Sequence, residues 1–253
     1  AMLTEDDKIP FTAHLAELRS RLIKCFLALG AGFLLCYAFK ETLFDILVYP
    51  LMRVMPEGGK LIFTAIPEAF FTYLKVALLA GAIVASPVLF YQFWMFVAPG
   101  LYRHERRLLG PLIVITTAFF LGGALFGYFV VFPFGFRFLL GFGADYIRTL
   151  PSMREYLAFA TKLLFIFGLL FELPVVLTCL SWVGVLSVAT LRRNRRYAVV
   201  GAFVVAAFLT PDVVSMILMA VPLMLLYELS IAAARVLARR KAERAAAAGE
   251  KAA

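Results

Sequence analysis

The sequence predicts an all-α, polytopic integral membrane protein. Of its 253 residues, 63% are hydrophobic and only 16% charged, whereas a water-soluble domain is nearer half apolar and about a quarter charged. The apolar residues are gathered into long blocks, and a block of about 18 or more residues suffices to cross a bilayer as a helix. Backbone groups in hydrocarbon have no water to bond, so such blocks must be helical. A barrel would instead show alternating polarity along short segments. The third observation, an uneven distribution of Lys and Arg, sets the orientation.

Six blocks follow in order, read together as one six-helix transmembrane domain. The first covers 22–39 and is entered through His14-Leu15-Ala16-Glu17-Leu18-Arg19-Ser20-Arg21-Leu22, whose leucines recur at helical spacing. The second covers 69–96. The third, 108–132, carries Gly123-x-x-x-Gly127, a spacing that lets helix backbones approach. The fourth, 157–183, holds Glu172 two residues before Pro174, and the proline predicts a local break because it removes a helix hydrogen bond. The fifth, 197–209, and the sixth, 213–234, are separated only by Thr210-Pro211-Asp212. The fifth is short: about 14 helical residues rise about 21 Å, against a hydrocarbon core of about 30 Å. Its neighbours must cover it, or the bilayer must thin to meet it. The loops 40–68 and 133–156 mix Pro and Gly with Phe and Leu, and predict partly helical caps at the outer, periplasmic interface. Residues 235–253 are predicted to form a disordered tail.

Lys and Arg number 17 in the N-terminal stretch, the 97–107 loop, the 184–196 loop and the C-terminal tail, against 6 in the intervening loops. Cytoplasmic loops collect these residues, so both termini are predicted to be cytoplasmic. The net charge of +9 has this origin and implies no nucleic-acid partner. The opening residues AMLTEDDK are acidic and polar, unlike the basic start of a cleavable signal peptide, and none is expected. Cys25, Cys36 and Cys179 lie inside apolar blocks, without disulfide or metal spacing, and read as packing residues.

Few side chains can carry chemistry. Glu17 is four residues from Arg21, and Glu105 is the only acid of its loop, among Arg103, Arg106 and Arg107. Both patterns admit local charge pairing as well as a binding role. Glu172 lies deep in the fourth block, where an ionised group costs several kcal/mol or more; it must face a cavity or partner, or be protonated. Lys75 and Lys162 lie just inside the outer ends of blocks, where their long stems can reach the interface. Both histidines, His14 and His104, fall outside the blocks, leaving none within the membrane to activate Ser86, Ser181 or Ser215. No metal, cofactor or catalytic motif is present, and no enzymatic activity is expected.

Taken together, several strings resemble the TatC family: HLAELRSRL (14–22), SPVLFYQFWMFVAPGLYRHERR (86–107), GYFVVFPFGFRFL (127–139), FGLLFELPV (167–175) and RRNRRYAVVGAFVVAAFLTPD (192–212). They occur in the family's order across nearly the whole chain. The resemblance implies a receptor core of the Tat pathway in the cell inner membrane. Such a receptor recognises twin-arginine signal peptides and assembles with small single-span subunits of the TatA and TatB type into an oligomeric complex that exports folded proteins. It implies that Glu17 and Glu105 recognise the arginine pair, with Arg19 and Phe96 around that site. It places Pro50 and Tyr128 toward the outer side, and makes Glu172 a buried contact for a polar residue on a partner helix. Asp212 matches a family acid in the outer turn, and the short fifth helix is the implied docking face for a partner. Paired carboxylates suit the task, because the planar guanidinium fork fits a carboxylate in a way that lysine cannot reproduce. A different class remains open on the residues alone, a secondary transporter in which Glu172 binds a proton or solute. Such transporters usually show internal repeats, and none is evident between the halves.

Overall fold

The apolar blocks fold as helices throughout. The computed structural model describes residues 11–55, 61–63, 65–97, 109–141, 151–210 and 213–250. Among them are ten α-helices: α1 (Phe11–Tyr37), α2 (Lys40–Met52), α3 (Glu68–Val97), α4 (Leu109–Phe126), α5 (Phe132–Leu140), α6 (Met153–Phe171), α7 (Leu173–Val183), α8 (Val188–Arg193), α9 (Arg195–Leu209) and α10 (Val213–Glu250). A π-helical turn, Gly127–Val131, joins α4 to α5. Among the described residues, five stretches are long and apolar enough to cross a membrane: Leu15–Tyr37, Glu68–Val97, Gly110–Phe138, Met153–Val183 and Met219–Arg239. The fifth apolar block forms α9, a helix of 15 residues.

The loops 40–68 and 133–156 are partly helical, as expected, through α2 and α5. Beyond the sixth apolar block, α10 continues past Ala234 to Glu250. The extension is built of Ala, Arg, Lys and Glu, all strong helix formers, so low hydrophobicity ends the span without ending the helix.

The chain divides into two compact units. One comprises Ala1–Phe44 with Phe70–Thr117, the other Asp45–Ala69 with Ala118–Ala253. In the first, α1 and α3 touch backbone to backbone. A Cβ built on Gly32 would lie 2.6 Å from the carbonyl oxygen of Gly81, and one on Gly81 would lie 2.6 Å from the nitrogen of Phe33. Pro87 lies inside α3 and cannot donate to the carbonyl four residues back. That carbonyl, of Ile83, instead accepts a 2.7 Å bond from the Ser86 hydroxyl.

In the second unit, α4 packs on α6 through small residues. A Cβ on Gly123 would run into the Phe167 carbonyl, and one on Gly168 would meet the Phe120 ring at 2.7 Å. Below this contact the rings of Phe126, Phe167 and Phe171 pack together, as do Tyr128, Phe132, Phe136 and Tyr156. The segments before α3 and α6 are tied by Glu68, which is 5% exposed. Its Oε2 accepts from the Ala65 N–H at 3.1 Å. Its Oε1 accepts from the Arg154 N–H at 2.7 Å and the Ser152 hydroxyl at 3.2 Å. One carboxylate thus serves orphan donors near the N-termini of both α3 and α6. Beside it, Ile62 pairs with the start of α6, donating to Pro151 O and accepting from the Met153 N–H.

Candidate functional site

The sites implied by the sequence fall into two groups. The first lies on α1 and α3 within the first unit. Glu17 and Arg21 are one turn apart on α1, and both Nε and Nη2 of Arg21 donate to Glu17 Oε1, the Nε bond at 3.0 Å. Arg21 is held from its other side: its Nη1 reaches Oε1 of Gln92, on α3, at 3.4 Å. Gln92 is 8% exposed and therefore fixed, which converts a local helix pair into a contact between two helices. The Glu17 side chain keeps 31% of its surface and Arg21 17%, so the carboxylate remains open on one side. Both arginine bonds fall on Oε1, and among the described residues Oε2 receives none. Phe96 lies one turn beyond Gln92 and is half-buried, while Arg19 is exposed. Glu105 lies outside the described residues.

The charge pair was legible from its i, i+4 spacing. Gln92 was not, because only the packing of α1 on α3 brings position 92 to position 21. Gly32 and Gly81 allow that packing, and they are too far apart in sequence to announce themselves as a motif.

The second group belongs to the second unit. Glu172 sits where α6 ends and α7 begins. Pro174 occupies the first turn of α7, and the Glu172 N–H bonds back to Leu169 O at 3.1 Å, so the predicted break is real. Glu172 is 8% exposed, and its buried Oε1 has no hydrogen-bond partner among the described residues. A buried polar atom without a partner costs about 1–3 kcal/mol, so packing among the described residues leaves this carboxyl oxygen unmatched.

Pro50 and Tyr128 meet at one carbonyl. Pro50 lies inside α2, so Ile46 O loses its helical donor, and the Tyr128 hydroxyl supplies the bond instead. The Tyr156 hydroxyl bonds the next carbonyl, Leu47 O. These residues therefore hold the α2 cap. Asp212 lies outside the described residues. Lys162 departs from its expected course toward the interface: its Nζ donates to Phe208 O at the end of α9, where the last carbonyls of a helix lack donors and favour a cation. No group of three or more His, Cys, Asp or Glu able to hold a metal occurs among the described residues.

Comparison with known proteins agrees with this architecture. Residues 13–222 match the family model of the Sec-independent protein translocase protein TatC. The chain is 57% identical over 241 residues to the Sec-independent protein translocase protein TatC of Desulforapulum autotrophicum, covering 95% of this chain and 89% of that one. It is 46% identical over 246 residues to the protein of the same name from Magnetococcus marinus, covering 97% and 91%. Among solved structures, the crystal structure of a twin-arginine translocase receptor, TatC, superimposes with a TM-score of 0.80 at 41% identity. It covers 89% of this chain and 99% of that one.

Proposed function

The chain belongs to the TatC family of Sec-independent protein translocase proteins, and from that membership we propose that Glu17 and Glu105 form the cytoplasmic site for the arginine pair of a signal peptide. As a member it is a membrane-embedded core receptor component of the Tat translocase, a subunit of a larger complex and not an enzyme.

The observation that carries the site is Glu17 already engaged by a guanidinium, with Arg21 steadied by buried Gln92 and one carboxylate oxygen left open. An incoming arginine finds a carboxylate oriented for a guanidinium, and charged hydrogen bonds of this kind contribute about 1.5–3 kcal/mol each. Arg19 excludes weaker cations by repulsion. Phe96 offers an apolar surface to the segment that follows the arginine pair, where burial adds about 25 cal/mol per Å².

The same reading places both termini in the cytoplasm of the cell inner membrane, with six spans in one domain and α9 as the fifth. It makes Glu172 a polar contact for the helix of a single-span TatA- or TatB-type partner. Pro50 and Tyr128 position the outer cap, and Asp212 the outer turn beside that contact.

The test is binding of a synthetic signal peptide to the purified chain, comparing an Arg-Arg pair with Lys-Lys. Lys-Lys and the Glu17→Ala variant are each expected to weaken binding by on the order of tenfold to a hundredfold, matching loss of one charged contact. Glu172→Gln keeps the peptide affinity of the parent. Equal binding of both peptides by the folded parent protein would sink the site assignment.

A further inference from the structure

We propose that α8, the start of α9 and the adjoining part of α10 form a binding site for the phosphate headgroup of an anionic phospholipid, with Arg192, Arg193, Arg196 and Arg235 as its cations.

The platform is rigid. Ser187 caps α8, its Oγ accepting from the Thr190 N–H at 3.0 Å. Leu191, 4% exposed, packs with Ile231 and Ala234 of α10, both 1% exposed. The Tyr227 hydroxyl donates to Leu191 O at 2.8 Å. Arg195 closes the arrangement through a 2.6 Å ion pair with Glu228. Apolar packing and a carbonyl bond thus fix α8 against one face of α10, and the ion pair fixes the start of α9 to the same helix. A loop whose arginines served only to set topology would not need this anchorage.

The platform is also under-neutralised. Of Arg192, Arg193, Arg195 and Arg196, all exposed, only Arg195 has an acidic partner among the described residues. Arg196 lies over the Tyr197 ring, 4.9 Å from its centroid, and donates to the Tyr197 hydroxyl at 3.2 Å; neither contact cancels its charge. Arg192 and Arg193 follow Leu191 directly and are carried wherever it is fixed. Arg235 lies one turn past Ile231 on α10, on the face that holds Leu191. Its Nε is buried and has no hydrogen-bond partner among the described residues. A guanidinium with a buried, unmatched donor on the α10 face that holds Leu191, with further unpaired arginines in the segment that follows Leu191, calls for an anion with several acceptor oxygens.

A lipid headgroup fits better than a soluble anion because of where the platform lies. α8 directly follows the span Met153–Val183, and Arg235 belongs to the span Met219–Arg239, so the cations sit at the end of two membrane helices. Basic clusters between helix ends at the membrane surface recognise anionic headgroups, each Lys or Arg contributing about 1 kcal/mol. Arginine's planar fork also matches phosphate.

The experiment is native mass spectrometry of the purified full chain released from detergent, titrated with a phosphatidylglycerol and, separately, a phosphatidylcholine of the same acyl chains. The expected result is preferential retention of phosphatidylglycerol, with affinity falling roughly 30-fold in R192Q/R193Q, about fivefold per arginine. Size-exclusion behaviour of the exposed double variant establishes that it is folded. R53Q, which removes a cation stacked on Tyr49 of α2, serves as the control and keeps the parent affinity. Equal retention of the two lipids, an unchanged affinity in R192Q/R193Q, or an equal loss in R53Q would each overturn the site. Complete displacement by millimolar inorganic phosphate would replace the lipid with a soluble anion and overturn it as well.

Discussion

A proline inside a helix withholds one donor, and the carbonyl four residues before it must find another or remain unsatisfied. Ser86 supplies the bond for Pro87 from within the same helix. Tyr128 supplies it for Pro50 from a different one, which makes the hydroxyl a tether on α2 and not a local repair. Tyr128→Phe keeps the ring and its contacts while removing the tether, and is expected to cost about 1–3 kcal/mol. Pro50→Ala restores a backbone N–H for Ile46 O, so Tyr128→Phe should cost markedly less in that background. Thermal unfolding of the four proteins of this cycle in detergent reads the coupling. Strict additivity would mean that the tyrosine does not act through that carbonyl. At this scale the sequence marked both residues as members of a family pattern and Pro50 as a proline of the 40–68 loop, but it could not pair them. The pairing is a tertiary contact across 82 positions.

Helix elements were legible because their physics is local to the block: apolar length and the absence of backbone partners in hydrocarbon. Their interruptions were less so. The third block forms α4 and a π turn that leads into α5, with Pro133 in the first turn of α5, where its missing N–H would have been unsatisfied in any case. The π register accommodates the join, with the Phe132 N–H reaching back to Gly127 O. The Gly123-x-x-x-Gly127 spacing suggested one close helix contact; the structure separates its two glycines. A Cβ at Gly123 collides with the backbone carbonyl of Phe167, whereas at Gly127 it meets only side-chain carbons at 3.5 Å, ordinary contact. Gly123→Ala is therefore expected to lower the unfolding midpoint substantially, since α4 and α6 must move apart, at about 1–3 kcal/mol for overpacking. Gly127→Ala should be close to neutral. Similar midpoints for the two variants would show that the helices can slide to absorb the methyl group.

For the whole molecule, the question is how α9 can serve as a span. Its 15 residues rise about 22 Å, roughly 8 Å less than the hydrocarbon core. An end left in hydrocarbon would expose carbonyls without donors. Lys162 lies nine residues into α6, about 13 Å from the start of that helix, and donates to Phe208 O. Thr210, 7% exposed, adds its hydroxyl to Ala206 O at 3.0 Å. The end of α9 is thus supplied with donors at depth, and the distance from there to the start of α6 exceeds the deficit. In the proposed six-span arrangement, the last carbonyls of α9 have donors although the helix is shorter than the hydrocarbon core. Sequence length alone left only coverage by neighbours or bilayer thinning as explanations, because the role of Lys162 required knowing what lay beside it. The consequence is testable as topology. In a chain with Cys25, Cys36 and Cys179 replaced by Ser, single cysteines introduced at Leu3 and Ala248 should react with an impermeant maleimide only after cells are permeabilised. One at Arg53 should react in intact cells. If the cysteine at position 248 labels from outside while that at position 3 does not, α9 fails to cross, and both the six-span arrangement and the role of Lys162 in it are wrong.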